Sequence, residues 1–159
     1  MGESERIFSA AGILTLVLGT VHGFSVLLEP LESSFYLSRA QASGFYSLAL
    51  ICLTIAVLGS HYLLSRISVV LNAAIVCGTA VFGLVIAALA NTAWEFGLGY
   101  GVLFGSANGF GYALSLQLAA RAYPKRRGLA IGTVTALYAV GASFFAIITG
   151  AMLEPFGLS

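Results

Sequence analysis

The sequence contains no aspartate, few charges of either sign and only two cysteines. Seven Lys and Arg and six Glu make up 8% of the 159 residues, whereas 59% are hydrophobic. A soluble domain carries roughly 25% charged residues, so this chain has too little charge to cover a water-exposed surface. The shortage of charge excludes a disordered chain, a basic nucleic-acid-binding surface and an ordinary cytosolic enzyme. What remains is a multi-pass membrane protein.

The residues that build common catalytic and metal sites are also missing. Cys52 and Cys77 lie within apolar stretches, and neither they nor His22 and His61 have the spacing of metal ligands. No P-loop, HExxH or GxSxG motif is present, and no acidic residue lies inside an apolar stretch to serve as an acid or base. We therefore predict no metal, no cofactor, no secreted disulfide framework and no enzymatic activity.

Five apolar stretches are long enough to cross a bilayer as helices. A transmembrane helix needs ~20 apolar residues, and none of the stretches shows the polar alternation of a membrane β-barrel. We predict an all-α, polytopic transmembrane bundle that forms one domain over residues 1–159. Its spans are predicted at about 7–28, 42–64, 67–90, 96–120 and 129–153. The short connections between them predict that neighbouring helices are antiparallel.

Basic residues are unevenly distributed over the connections. Cytoplasmic loops of membrane proteins are enriched in Lys and Arg, which predicts a cytoplasmic N-terminus for this chain. The outer segments then contain only Arg39, and the inner ones contain Arg6, Arg66, Arg121, Lys125, Arg126 and Arg127. For Arg66 and the four basic residues after it, two interpretations stay open: topology with lipid headgroup contact, or a gating contact.

Glycines recur at helical spacing in several predicted spans. Helices in lipid associate where small residues let their backbones approach closely. The fourth span has glycine at every fourth position, namely Gly97, Gly101, Gly105 and Gly109. The fifth has small residues in alternating steps of four and three, from Gly132 to Gly150, and the first has Gly12, Thr15, Gly19 and Gly23. These patterns, together with Gly141 in the fifth span, predict helix packing in a compact bundle, and the alternative is a direct role in substrate contact.

One inner connection resembles a known family. The segment YPKRRGLAIG at 123–132, preceded by the glycine pattern of the fourth span, resembles the fourth span, inner loop and fifth span of major facilitator carriers. The similarity is greatest to the monocarboxylate porters and the related oxalate/formate antiporters. The segment FSVLLEPLESSF at 24–35, followed by Ser-Arg-Ala at 38–40, resembles the first outer loop of that branch. The resemblance implies a partial N-terminal half, with five of its six spans.

The sequence also departs from the family pattern. Of the charged loop that normally follows the second span, only Arg66 is retained. The antiporter glycine motif of the fifth span is half met, because Gly132, Gly141 and Gly150 fit it but Phe145 and Ala146 replace its Gly-Pro pair. The family builds a midplane site between two six-helix halves. The resemblance therefore implies a partner, either a missing C-terminal transporter half or a second copy of the chain.

His22 is the candidate substrate or proton site. It is the one ionisable residue well inside a predicted span, and such residues are functional candidates by default. The resemblance places it near a first-span lysine that binds the substrate carboxylate and proton in many monocarboxylate porters. Imidazole titrates near neutrality and, once protonated, can pair with a carboxylate. The alternative is a neutral histidine that is hydrogen bonded to a neighbouring helix.

Further polar side chains lie in the fourth span. Asn108, Tyr112 and Ser115 share one side of the helix and are predicted either to bind a polar ligand or to hydrogen bond between helices. The expected function is a membrane secondary transporter, or a fragment of one, that moves small organic anions with or without a proton by alternating access. The alternative is a non-transporting membrane subunit or truncated product with a structural or regulatory role. The expected partners are a lipid bilayer and the anion, with no nucleic acid.

Overall fold

The computed structural model describes residues 2–64 and 66–153, together with their side chains except those of residues 63, 64 and 153. All regular structure in these ranges is helical, which confirms the predicted all-α class. Five helices follow one another: α1 at Glu3–Phe35, α2 at Arg39–Leu64, α3 at Val69–Ala88, α4 at 93–122 and α5 at Arg127–Leu153. A short 3₁₀ turn, Pro124–Arg126, connects the last two.

Four of these helices are long and apolar enough to cross a membrane. They correspond to α1, α2, α3 and α5, at Glu3–Phe35, Arg39–Tyr62, Val69–Ala88 and Pro124–Met152. The predicted fourth span, 96–120, folds as α4 but is not among the four. Its α-helical part, Gly105–Ala122, contains Asn108, Gln117 and Arg121, which make it less apolar than the other helices.

Helix α4 forms the centre of the bundle. It packs against α1, α2, α3 and α5, and most of its side chains between Phe96 and Ala122 are buried or half-buried. A central helix meets protein rather than lipid, so it tolerates polar side chains that an outer span would not. The burial of α4 therefore accounts for the polar side chains in its second half.

The glycines of α4 bring it close to α2. A Cβ atom at Gly101 would lie 2.7 Å from Leu48, and one at Gly105 would lie 2.7 Å from the carbonyl oxygen of Ala49. At Gly109 it would overlap the carbonyl of Leu53. The glycine face that the sequence shows at four-residue spacing therefore lies along α2. The preceding segment of α4, Gly97–Phe104, is a π-helix.

Glycines also mark the contact between α1 and α5. A Cβ atom at Gly19 would overlap the backbone of Tyr138, and one at Gly141 would overlap the carbonyl of Leu16. Gly132 and Gly150 differ, because a Cβ atom at either position has no described atom within 4 Å. Of the three glycines that fit the antiporter motif, Gly141 is therefore the one at a close helix contact.

The outer surface of the bundle is apolar between two aromatic ends. Large apolar side chains are exposed along the helices, among them Ile55, Phe82 and Ile147. At one end Tyr36 and Trp94 are 95% and 77% exposed, and at the other Tyr62 is 67% exposed. Exposed aliphatic side chains bounded by Tyr and Trp are typical of membrane-embedded helices, whose aromatic residues lie at the headgroup level.

Candidate ligand-binding groove

The candidate site lies in a groove between α2 and α5. Both helices pack against α4, whereas contacts between α2 and α5 are marginal in the described chain. Helix α4 therefore forms the floor of the groove, and α2 and α5 form its walls. Helix α1 packs on α4 and α5 and adds His22 to the floor.

His22 lies between a tyrosine from each wall. Its Nδ1 forms a 2.6 Å hydrogen bond with the hydroxyl of Tyr46 in α2. The ring of Tyr138 in α5 stands perpendicular to the imidazole, with 5.1 Å between the ring centroids. The imidazole is nevertheless exposed on the surface of the chain. This arrangement orients the ring and leaves part of it accessible to a ligand.

Asn108 connects three helices beneath the imidazole. Its side-chain Oδ1 accepts a 2.6 Å hydrogen bond from the hydroxyl of Tyr138, and its Nδ2 donates a 2.6 Å bond to the carbonyl of Leu18. The residue is completely buried. Because both ends of its amide are used within the bundle, Asn108 positions Tyr138 and α1 rather than presenting a free group to a ligand.

The polar residues continue along the groove toward the other end of the bundle. The hydroxyls of Tyr112 and Thr135 form a 3.2 Å hydrogen bond, and the rings of Tyr112 and Tyr138 lie 4.9 Å apart. We refer to the connected set as the His22 cluster, whose members are His22, Tyr46, Tyr112, Thr135 and Tyr138. The cluster begins at Tyr46, near the start of α2, and reaches Tyr138, near the middle of α5. It therefore covers much of the length of the groove.

The backbone of α1 changes its winding where α4 contacts it. Residues Gly19–Leu27 form a 3₁₀ helix within an otherwise α-helical segment. At this position Asn108 donates to the carbonyl of Leu18, and the hydroxyl of Tyr100 donates to the carbonyl of Val21 at 3.0 Å. A side chain that donates to a helix carbonyl competes with the backbone N–H group that would otherwise bond to it. It also satisfies a carbonyl that has lost its regular helical partner. The 3₁₀ segment contains His22.

The structure brings together three of the four predicted binding residues. His22, Asn108 and Tyr112 all contact Tyr138. Ser115 lies apart from them, because its buried hydroxyl donates to the carbonyl of Gly111 in its own helix at 2.9 Å.

Sequence reasoning missed Tyr46 and Tyr138, which contact His22, and Tyr100, which donates to the carbonyl of Val21. The sequence offered one signal for these residues, which is that each is a tyrosine inside an apolar span. A buried tyrosine hydroxyl needs a hydrogen-bond partner, so each could have been predicted to bond to another helix.

The basic residues singled out from the sequence occupy separate positions at the ends of the helices. The guanidinium of Arg66 lies over the ring of Tyr62, 4.5 Å from its centroid. Arg121 and Arg127 line a pocket with His61, and Arg126 lines a different pocket with Phe8. Lys125 is exposed and lines neither of these two pockets.

Comparisons with protein-family models, curated proteins and solved structures gave no significant match. The candidate site therefore depends on its geometry alone. Within residues 2–64 and 66–153, no three His, Cys, Asp or Glu side chains are grouped so that they could hold a metal ion.

Proposed function

We propose that this chain is a membrane-embedded bundle that forms one wall of a secondary transporter for small organic anions, such as monocarboxylates. The supporting observation is the exposed imidazole of His22, held between Tyr46 and Tyr138 inside a helix long and apolar enough to span a membrane. Ionisable groups at membrane depth face a protein interior or a water-filled cavity rather than lipid. The groove is accordingly the side of the bundle that another protein surface covers.

The groove supplies the chemistry that a small carboxylate requires. A protonated imidazole and a tyrosine hydroxyl can both donate hydrogen bonds to a carboxylate, and bonds to charged groups are about twice as strong as neutral ones. The aromatic rings of Tyr112 and Tyr138 provide apolar surface beside the donors. Histidine can also release its proton near neutral pH. These properties suit an anion that is carried with a proton.

The second wall of the cavity is proposed from the family resemblance. Major facilitator carriers form their site between two halves and expose it alternately to each side of the membrane. In this proposal the groove faces either a C-terminal half or a second copy of the chain. Close glycine contacts between α1 and α5 and between α2 and α4 hold each pair together, so that the bundle can move as one body.

The test combines transport and binding in reconstituted vesicles. The purified chain is placed in liposomes, and uptake of labelled lactate, pyruvate and oxalate is compared with that of empty vesicles. Binding of the same compounds is measured by equilibrium dialysis. The variants are His22→Gln and Tyr46→Phe, and the matched control is Tyr36→Phe, which alters an exposed hydroxyl outside the groove.

The proposal predicts saturable binding of at least one of these anions. His22→Gln should weaken it at least about tenfold, because a charge-assisted hydrogen bond is lost, and should abolish the pH dependence of any uptake. Tyr36→Phe should behave like the unmodified chain. Absence of both binding and uptake would contradict the proposal. Binding that His22→Gln leaves unchanged would contradict the assignment of the site.

A further inference from the structure

A pocket lined mainly by polar residues lies at the end of the groove where α2 and α4 finish and α5 begins. Its volume is about 270 Å³, and its lining contains His61 from α2, Gln117 and Arg121 from α4, and Arg127 from α5. These are the three helices that form the groove. The pocket is separate from the His22 cluster, because they have no residue in common.

The pocket concentrates positive charge that no described acidic side chain neutralises. Among the described residues, no ion pair or side-chain hydrogen bond engages Arg121 or Arg127. The acidic residues at this end of the bundle, Glu3 and Glu5, belong to α1, which contributes no residue to the pocket. Arg127 is the first residue of α5, where the helix macrodipole is positive, whereas α2 and α4 end beside the pocket, where their macrodipoles are negative, so the arginine side chains supply the positive charge. The pocket therefore attracts an anion.

The position of the pocket along the membrane normal indicates which anion it binds. Its arginines lie at the ends of helices, beyond the apolar middle, and Tyr62 marks the headgroup level at this end. The anion that a membrane presents at this depth is the phosphate of a lipid headgroup. Arginine binds phosphate through two parallel N–H groups, and basic pockets between transmembrane helices bind anionic headgroups.

We propose that this pocket is a phosphate-binding site occupied by the headgroup of an anionic phospholipid. Arg121 and Arg127 bind the phosphate oxygens from two sides. Gln117 and His61 add donors from the adjoining helices. A bound headgroup connects the ends of α2, α4 and α5, and so links α2 to α5, whose contacts with each other are marginal among the described residues. This site does not depend on the transport proposal, since it uses different residues and a different ligand.

The test measures lipid retention by native mass spectrometry of the detergent-solubilised chain. Phosphatidylglycerol is titrated against the unmodified protein and against Arg121→Gln and Arg127→Gln, with phosphatidylcholine as the uncharged comparison. Lys125→Gln is the matched control, because it removes the same charge at the same end of the bundle from a residue outside the pocket. A parallel titration adds inorganic phosphate to the phosphatidylglycerol-bound protein.

The expected result is preferential retention of phosphatidylglycerol, weakened at least about tenfold by each pocket variant and less than about twofold by the control. Displacement by millimolar inorganic phosphate would support a phosphate site that free phosphate also occupies. Resistance to displacement would support recognition of the lipid itself. Equal losses in the pocket variants and in Lys125→Gln would overturn the proposal, as would equal retention of the two lipids. Both arginines are exposed, so either variant can serve if the other does not fold.

Discussion

Tyr138 of α5 donates a hydrogen bond to Asn108 of α4, and this bond connects the exposed part of the groove to the buried centre of the bundle. The same asparagine donates to the carbonyl of Leu18 in α1. One buried amide therefore fixes the relative positions of three helices and of the ring that packs against His22. The following predictions test this arrangement and the packing around it.

Replacing Asn108 should destabilise the bundle. Asn108→Ala removes two hydrogen bonds between helices and leaves the Tyr138 hydroxyl and the Leu18 carbonyl without that partner. Bonds of this kind in membranes contribute about 0.6 kcal/mol each on average, so we expect a loss of about 1–2 kcal/mol in unfolding free energy. Denaturant unfolding in detergent, followed by circular dichroism, measures it. Ser115→Ala is the control, since that buried hydroxyl bonds only within α4, and an equal loss there would contradict the proposed role of Asn108.

Enlarging a glycine of α4 should be costly where α2 lies close. A Cβ atom at Gly109 would overlap the Leu53 carbonyl and lie 2.8 Å from the Cβ of Ala56. Overpacking costs about 1–3 kcal/mol, and we expect Gly109→Ala to lower the unfolding free energy by this amount. Gly132→Ala, where no described atom lies within 4 Å, should be neutral or gain up to ~1 kcal/mol from helix propensity. If the two variants have the same stability, the close approach of α4 to α2 is not present in solution.

The turn before α4 should loosen at acidic pH. The Glu95 carboxylate accepts hydrogen bonds from the backbone N–H groups of Asn91 and Thr92, and these bonds lower the pKa of Glu95 from its ordinary value of 4.5. A lowered pKa in the folded chain means that the carboxylate stabilises the turn above the ordinary value. That contribution is lost as the pH falls through the lowered pKa.

Hydrogen exchange at Asn91 and Thr92 measures this effect after correction for the intrinsic pH dependence of exchange. Protection should fall when the pH is brought below the ordinary pKa of Glu95. Glu95→Gln keeps an acceptor but cannot titrate, so its corrected protection should not vary over the same pH range. Parallel profiles for the two proteins would exclude the Glu95 carboxylate as the cause.

Cysteine labelling should show whether the apolar surface faces lipid. Cys77 is exposed near the middle of α3, and thiols react as thiolates, which do not form in hydrocarbon. In a Cys52→Ser background reconstituted in nanodiscs, we expect Cys77 to resist a charged methanethiosulfonate and to react with it after denaturation. Tyr36→Cys, at the exposed end of α1, should react without denaturation. Rapid labelling of Cys77 in the native protein would contradict its location in the bilayer.

Features that depend on one helix at a time could be predicted from the sequence. Apolar stretches gave the helical class, and the four-residue period of the α4 glycines identified the face that packs on α2. In α5 the sequence assigned Gly132, Gly141 and Gly150 to helix packing, and of these three the close contact is made at Gly141. The rotation of α5 about its axis is set by the fit of Tyr138 and Gly141 against α1, which no local pattern contains.

The winding of α1 was not predictable for the same reason. Its first predicted span ended at residue 28, whereas the helix continues to Phe35 and contains the 3₁₀ segment Gly19–Leu27. Nothing in residues 19–27 themselves requires that winding. The donors to α1 at this point are Tyr100 and Asn108, 79 and 90 residues away from their acceptors. The tyrosines around His22 escaped prediction because they come from helices distant in sequence.

The 3₁₀ segment has a mechanical consequence. A 3₁₀ helix rises about 0.5 Å more per residue than an α-helix and turns about 20° more. Rewinding all nine residues of Gly19–Leu27 into an α-helix would shorten α1 by about 4–5 Å and twist its two ends by roughly half a revolution relative to each other. The imidazole would swing away from both of its tyrosine neighbours. The winding of this segment therefore sets both the length of α1 and the side on which His22 faces the groove, and it cannot change without releasing the contacts of α1 with α4 and α5.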